Sequence, residues 1–328
     1  MTSGADSLRG QTTTTLTPVW LNRALRRLLG LAGACAILLL VLYLLAVHTE
    51  WGQRAGNAAI VGRFNQPPAL IDGSVDLLET ISIISLALVG GTFCLVGLIR
   101  GGWPLGIGMG VMILGANLTT QILKRMIFTR PVITGQGDLL GAGNSLPSGH
   151  TTVAMTIAVA ALLASPPRYR LWLGGITGIY AGLVGAATVS AGWHRPSDVI
   201  GATFVAVGWG ALVSVALIVL RERTPIRAAT NSRLAHWREH RLREAMMVSA
   251  GVLVVTLAAL TMLVISRSWD DLADLQFTGA FVTGVLAGLS ATALSLGALG
   301  YALSRVDLAA LSERIIDLPG TWDDPQAT

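Results

Sequence analysis

Apolar residues gather in eight long runs, near 29–47, 80–99, 103–123, 150–165, 172–191, 197–220, 246–266 and 278–303. A helix needs about 20 apolar residues to cross the hydrocarbon of a bilayer, and these runs match or approach that length. The pattern predicts an all-α fold, a polytopic membrane helix bundle of eight spans, or seven with one of them re-entrant. The edges are least sharp near 150–165 and 172–191, where the runs are short or Gly-rich. With 52% hydrophobic and 12% charged residues, a soluble domain is excluded. Residues 1–28 read as a disordered, basic N-terminal tail, 29–220 as a six-helix core and 221–245 as a basic connector. Two additional transmembrane helices follow over 246–303, and 304–328 read as a C-terminal tail.

The basic residues orient this bundle. With the N-terminus inside, Arg9, Arg23, Arg26, Arg27, Arg100, Arg168, Arg170, seven arginines between 221 and 243, Arg305 and Arg314 are cytoplasmic, 16 of the 23 basic residues. The positive-inside rule then places both termini in the cytoplasm and the loops after the first, third, fifth and seventh runs outside. The high pI follows from this bias and gives no reason to expect nucleic-acid binding. The first run, behind Arg23, Arg26 and Arg27, is too long and lacks a small-residue cleavage site, so it reads as an uncleaved anchor rather than a signal peptide. Cys35 and Cys94 fall inside apolar runs and read as buried structural residues. The connector at 221–245 reads chiefly as a topological anchor that could also grip anionic lipid heads. The two spans after it, without ionisable residues at their middles, read as a structural or partner-facing addition.

Three polar clusters stand at the outer ends of runs. Lys124-Arg125-Met126-Ile127-Phe128-Thr129-Arg130-Pro131 closes the third run, Pro147-Ser148-Gly149-His150 opens the fourth, and His194-Arg195-Pro196-Ser197-Asp198 opens the sixth. His194 and Asp198 are four residues apart, a spacing that lets them meet on one helical turn. A carboxylate on one imidazole nitrogen leaves the other free to attack phosphorus and stabilises the charge that develops on the ring. Ser148, Gly149 and His150 precede an apolar run, which puts them at a helix N-terminus whose unpaired N–H groups bind anions. His150 there suits a general acid. Lys124 is the only lysine, and Asn117, Gln121 and Lys124 share a helical face. Arg130 can grip two phosphate oxygens at once.

These clusters resemble the motifs of the type-2 phosphatidic acid phosphatase superfamily. That family's motifs read Lys-x6-Arg-Pro, Pro-Ser-Gly-His and Ser-Arg-x5-His-x3-Asp. The second matches at 147–150, and His194 and Asp198 match the end of the third. Two departures stand out: five residues separate Lys124 from Arg130, and the third motif's Arg is replaced by Thr188, with Ala187 before it.

The resemblance, which extends over 29–220, implies an integral membrane lipid phosphatase of the cytoplasmic membrane with its site on the outer face. His194 would be the nucleophile that forms a phosphohistidine, Asp198 would orient it, and His150 would serve as general acid and then base. Lys124, Arg130, Ser148 and Gly149 would bind phosphate, with Arg125, Arg195 and Thr188 as auxiliary candidates. The set needs no metal and no cofactor. A polyprenyl diphosphate is the favoured substrate, followed by phosphatidic acid or phosphatidylglycerol phosphate. Alternatives are a lipid-linked phosphotransferase and a catalytically impaired lipid-binding or transport homologue, the latter favoured by Thr188 and the two extra spans.

Overall fold

The computed structural model describes residues 19–81, 83–134, 143–220, 232–265 and 272–308. Helices α1 (Val19–Val47), α2 (Glu50–Gly62), α3 (Pro68–Glu79), α4 (Ile83–Ile122), α5 (Gly149–Ala164), α6 (Arg170–Ser190), α7 (Pro196–Leu220), α8 (Ser232–Ile265) and α9 (Asp274–Ala302) account for most of these residues.

Helix α4 has 40 residues, a length of about 60 Å, or twice the hydrocarbon thickness. It turns back at Gly102, whose φ of 67° and ψ of −174° suit glycine alone. A Cβ on Gly106 would lie 3.0 Å from the carbonyl oxygen of Cys94, so the arms meet backbone to backbone. They are the two spans expected at 80–99 and 103–123. Helices α1, α4, α6, α7, α8 and α9 are long and apolar enough to cross a membrane, and α5 is a shorter apolar helix of 16 residues. Ile37, Leu114, Ile176 and Val255 on their outer faces are exposed, which suits acyl chains and not water. The chain is a multi-pass helical membrane protein.

Helices α5 and α7 form the centre. Helix α5 lies against α4, α6 and α7, and α7 also lies against α1 and α9. Small buried residues, among them Ala154, Ala158, Ala202 and Ala206, let these helices approach closely. Helix α9 is joined to this core: Leu296, Leu299 and Leu303 share a hydrophobic cluster with α5, α6 and α7. Helix α8 packs chiefly on α9.

The structure departs from the expected elements in three places. The tail at 1–28 is helical from Val19 onward, because Leu21, Ala24 and Leu28 recur at helical spacing and bury. The connector at 221–245 is helical from Ser232, continuous with the following span, and Arg241 and His240 pair with Glu244 along it. The segment between the first two apolar runs, where no element was expected, contains α2 and α3. Residues 1–18, 221–231 and 309–328, and with them much of the expected tails and connector, lie outside the described residues. So do Gly135, Gly137 and Gly141 of the loop after Arg130.

At the end of the bundle away from the motifs, buried charges tie helices together. Arg170 donates to the carbonyl oxygens of Leu162 and Ser165 at 3.0 Å each, of Val306 at 3.1 Å, and of Leu303. Glu239 accepts from Arg305 at 2.8 and 3.1 Å and from Ser304 at 2.9 Å, with Arg27 of α1 at 3.9 Å.

Candidate active site

The site begins at the turn between α6 and α7. Helix α6 ends where Gly192 takes a φ of 73°, a left-handed conformation that costs glycine nothing. The N–H groups of Trp193 and His194 then both fall on the carbonyl oxygen of Thr188, at 2.9 and 3.1 Å. This turn presents His194 two residues before Pro196 starts α7. Asp198, in the first turn of α7, reaches back so that its Oδ2 lies 3.2 Å from His194 Nδ1 and accepts the Arg195 N–H at 3.0 Å. Ser197 donates to Oδ1 at 3.3 Å, and the Ser145 side chain also hydrogen-bonds the carboxylate. Both His194 and Asp198 are buried. With Nδ1–H donated to the carboxylate, Nε2 keeps its lone pair for chemistry.

The second motif sits against this turn. Ser148 caps α5 through its Oγ, which accepts the Thr151 N–H at 3.3 Å, and its own N–H donates to the Asp198 carbonyl oxygen at 3.0 Å. That bond corrects one expectation. The Ser148 N–H is committed to the fold, so the N–H groups left at this helix N-terminus are those of Gly149 and His150, which bond no described residue. Ser148 contributes the cap and the link between α5 and α7. His150 is half-buried, with its ring centroid 5.3 Å from that of Trp193, the neighbour of His194.

The first motif comes from the far end of α4. Its last turn, Leu123–Ile127, is a π-helix, closed by the Phe128 N–H on the Leu123 carbonyl oxygen at 2.8 Å. Lys124 lies in this turn, half-buried. The charge of Asp198 acts on Lys124, and His194 and Lys124 both act on His150. Lys124, His150, His194 and Asp198 therefore share one electrostatic environment, although they come from four separate stretches of chain. Thr120 and Thr152, hydroxyl to hydroxyl at 3.0 Å, hold α4 to α5 just beneath. Arg130 stands half-buried in the extended segment that follows the π turn.

The three auxiliary candidates separate. Arg125 is exposed, and its charge opposes that of its neighbour Lys124. Thr188 is fully buried, and its hydroxyl donates to the Gly185 carbonyl oxygen at 2.7 Å, so it offers no donor to a ligand. Its contribution is the carbonyl that shapes the His194 turn. Arg195 is 1% exposed. Its Nε and Nη2 donate to Asn57 Oδ1, each at 3.2 Å, and Nη1 donates to Ser145 Oγ at 3.3 Å. It is an interior clamp between α2, Ser145 and the start of α7.

Asn57, Ser145, Gln53 and Tyr43 were not singled out from the sequence, yet all four touch the motifs. Tyr43 and Gln53 bond the backbone beside Arg130. The pair Gln53 and Asn57, four residues apart among the small residues of α2, was the signal available.

No curated protein matches this chain at a significant level. The structure of a transmembrane PAP2-type phosphatidylglycerolphosphate phosphatase from Bacillus subtilis is similar at 21% identity and a TM-score of 0.46, covering 59% of this chain and 97% of that one. Residues 105–221, from the second arm of α4 to the end of α7, match the model of the PAP2 superfamily, and this segment carries all three motifs.

Proposed function

We propose that the protein is a metal-independent lipid phosphate phosphatase that works through a phosphohistidine at the outer face of the cytoplasmic membrane. The observation that carries this reading is the His194 Nδ1 contact with the Asp198 carboxylate, with His150, Lys124 and a helix N-terminus gathered around it. In the first step Nε2 of His194 attacks phosphorus and the bond from phosphorus to the lipid oxygen breaks. His150 gives its proton to that oxygen. Water then attacks the phosphohistidine, His150 takes a proton back, and inorganic phosphate leaves. Lys124, Arg130 and the N–H groups of Gly149 and His150 hold the phosphoryl oxygens. A polyprenyl diphosphate remains the favoured substrate, with phosphatidic acid or phosphatidylglycerol phosphate next.

Free phosphate released from a panel of these lipids by the purified chain tests the reading. Release should survive chelators and be blocked by vanadate, which mimics five-coordinate phosphorus. Transfer to a lipid or glycan acceptor without free phosphate would make the protein a phosphotransferase. No reaction with any lipid would favour an impaired lipid-binding homologue, the reading that uncharged Thr188 supports.

Orientation has its own test. Apart from the N-terminal amine, Lys124 carries the only primary amine of the chain. A membrane-impermeant amine reagent applied from outside the cytoplasmic membrane should label Lys124, and vanadate should protect it by occupying the donors of the ammonium group. Labelling only after that membrane is breached would reverse the topology.

A further inference from the structure

We propose that Tyr43, Gln53 and Asn57 are positioning residues of the phosphate site, holding Arg130 and Arg195 in place from outside the segment that matches the family. The proposal rests on the phosphatase reading above. It starts from the shortened first motif. With five residues between Lys124 and Arg130, Arg130 begins one residue closer to α4 than the resemblance leads one to expect, and the π turn uses up part of that short stretch.

What fixes the backbone at Arg130 comes from α1 and α2. The Tyr43 hydroxyl accepts the Thr129 N–H and donates to the Thr129 carbonyl oxygen, both at 3.1 Å. Its ring stacks on Phe128, with centroids 3.9 Å apart and planes 9° apart, and His48 meets it in an edge-type contact at 4.7 Å. On the far side of Arg130, Gln53 Nε2 donates to the Pro131 carbonyl oxygen at 2.6 Å and to Val47 at 2.8 Å. Residues 128, 129 and 131 are thus all held by side chains, and the arginine lies between them. One turn further along α2, Asn57 accepts two bonds from Arg195, whose own N–H bonds the carboxylate that orients His194. One face of α2 therefore touches the first and third motifs together.

Gln53 and Asn57 are buried, 3% and 1% exposed, and carry no charge. They meet the motifs through the Pro131 backbone and the Arg195 side chain, so their effect is on geometry. A misplacement of about 1 Å in a group that orients the reacting atoms can cost ~10²-fold in rate.

The test is a double-mutant cycle on the full chain in detergent. Tyr43→Phe removes both bonds to Thr129 and keeps the ring stack. Gln53→Leu removes the bonds to Pro131 and Val47. Each should lower kcat/KM by ~10–100-fold in protein that stays folded at the assay temperature, even where the lost buried bonds lower the midpoint of thermal unfolding. In an Arg130→Gln background the same changes should cost less than about twofold, because the group they position is gone. Full activity in the single variants, or full additivity with Arg130→Gln, would overturn the proposal. The phosphatase reading is judged separately by whether the wild type releases phosphate at all. If it does not, stabilisation by orthovanadate remains as a readout of anion binding. A smaller vanadate shift in Tyr43→Phe and Gln53→Leu than in wild type would keep the clamp. Equal shifts, or none in any of them, would remove it.

Discussion

Replacing His194 should stop phosphate release altogether, and the choice of replacement matters. His194→Ala removes the nucleophile but also strips a buried carboxylate of a partner, since Asp198 is fully buried and bonded to the ring at 3.2 Å. Leaving a buried charge short of a partner is strongly destabilising, about 3–5 kcal/mol, so lost activity in that variant alone could reflect lost folding. His194→Asn avoids this problem: its amide nitrogen overlays Nδ1 and can keep the bond to Asp198, while nothing stands where Nε2 was. It should fold, bind vanadate weakly and turn over nothing. Asp198→Asn is the complement. Its Oδ1 can accept from either His194 or Arg195, but the negative charge that stabilises the imidazolium is gone. A loss of about 10³–10⁴-fold with some residual turnover is expected. A folded His194→Asn protein that still releases phosphate would end the phosphohistidine mechanism.

The spans and motifs were legible because bilayer chemistry writes them in simple terms. A run of about 20 apolar residues has few other uses. The arms of α4 could be told apart in the sequence by Arg100, Gly101 and Gly102 between them, and the structure turns at Gly102. His194 and Asp198 were found because their four-residue spacing has one geometric meaning once a helix starts at Pro196. The second motif placed a helix N-terminus at Gly149 for the same kind of reason, with a Ser cap before an apolar run.

Helix α2 was missed because its buried face is made of Gly52, Ala55, Gly56, Ala58 and Ala59, too small to register as an apolar run. Thr49 caps it, with its hydroxyl accepting the Gly52 N–H at 3.1 Å. A cap residue alone does not reveal what the helix will cover. The Asn57–Arg195 bond spans 138 residues, and the Tyr43–Thr129 bond spans 86. Contacts of that reach leave no periodic trace in one sequence. The role of Ser148 was misread for a related reason: its spacing identifies a cap, but only the fold shows its N–H turned to the carbonyl of Asp198. Thr188 could be recognised as a departure, whereas the bonding of its hydroxyl to Gly185 and of its carbonyl to the His194 turn appears only in the folded structure.

His150→Ala should separate the two halves of the reaction, because the need for a proton depends on what leaves. For a lipid monophosphate the leaving group is an alkoxide, a strong base that departs poorly without protonation. Losing the acid there should cost ~10²–10⁴-fold. For a polyprenyl diphosphate the leaving group is a phosphate monoester, whose second ionisation is near 6, so it departs as an anion without help. The first step should then slow by less than about tenfold. The second step has no such relief: water must still lose a proton as it attacks the phosphohistidine, and the base that takes it is missing. His150→Ala given a diphosphate should therefore release one equivalent of monophosphate lipid per enzyme in a burst, hold the phosphoryl group on His194, and turn over slowly afterwards. Given phosphatidic acid, it should show neither burst nor turnover. The half-buried imidazole beside Trp193 at the start of α5 suits both roles, since it adjoins the free N–H groups that would hold the phosphoryl oxygens. If both substrates lose activity to the same small extent and no phosphoenzyme accumulates, His150 carries no proton, and its place at the N-terminus of α5 is structural.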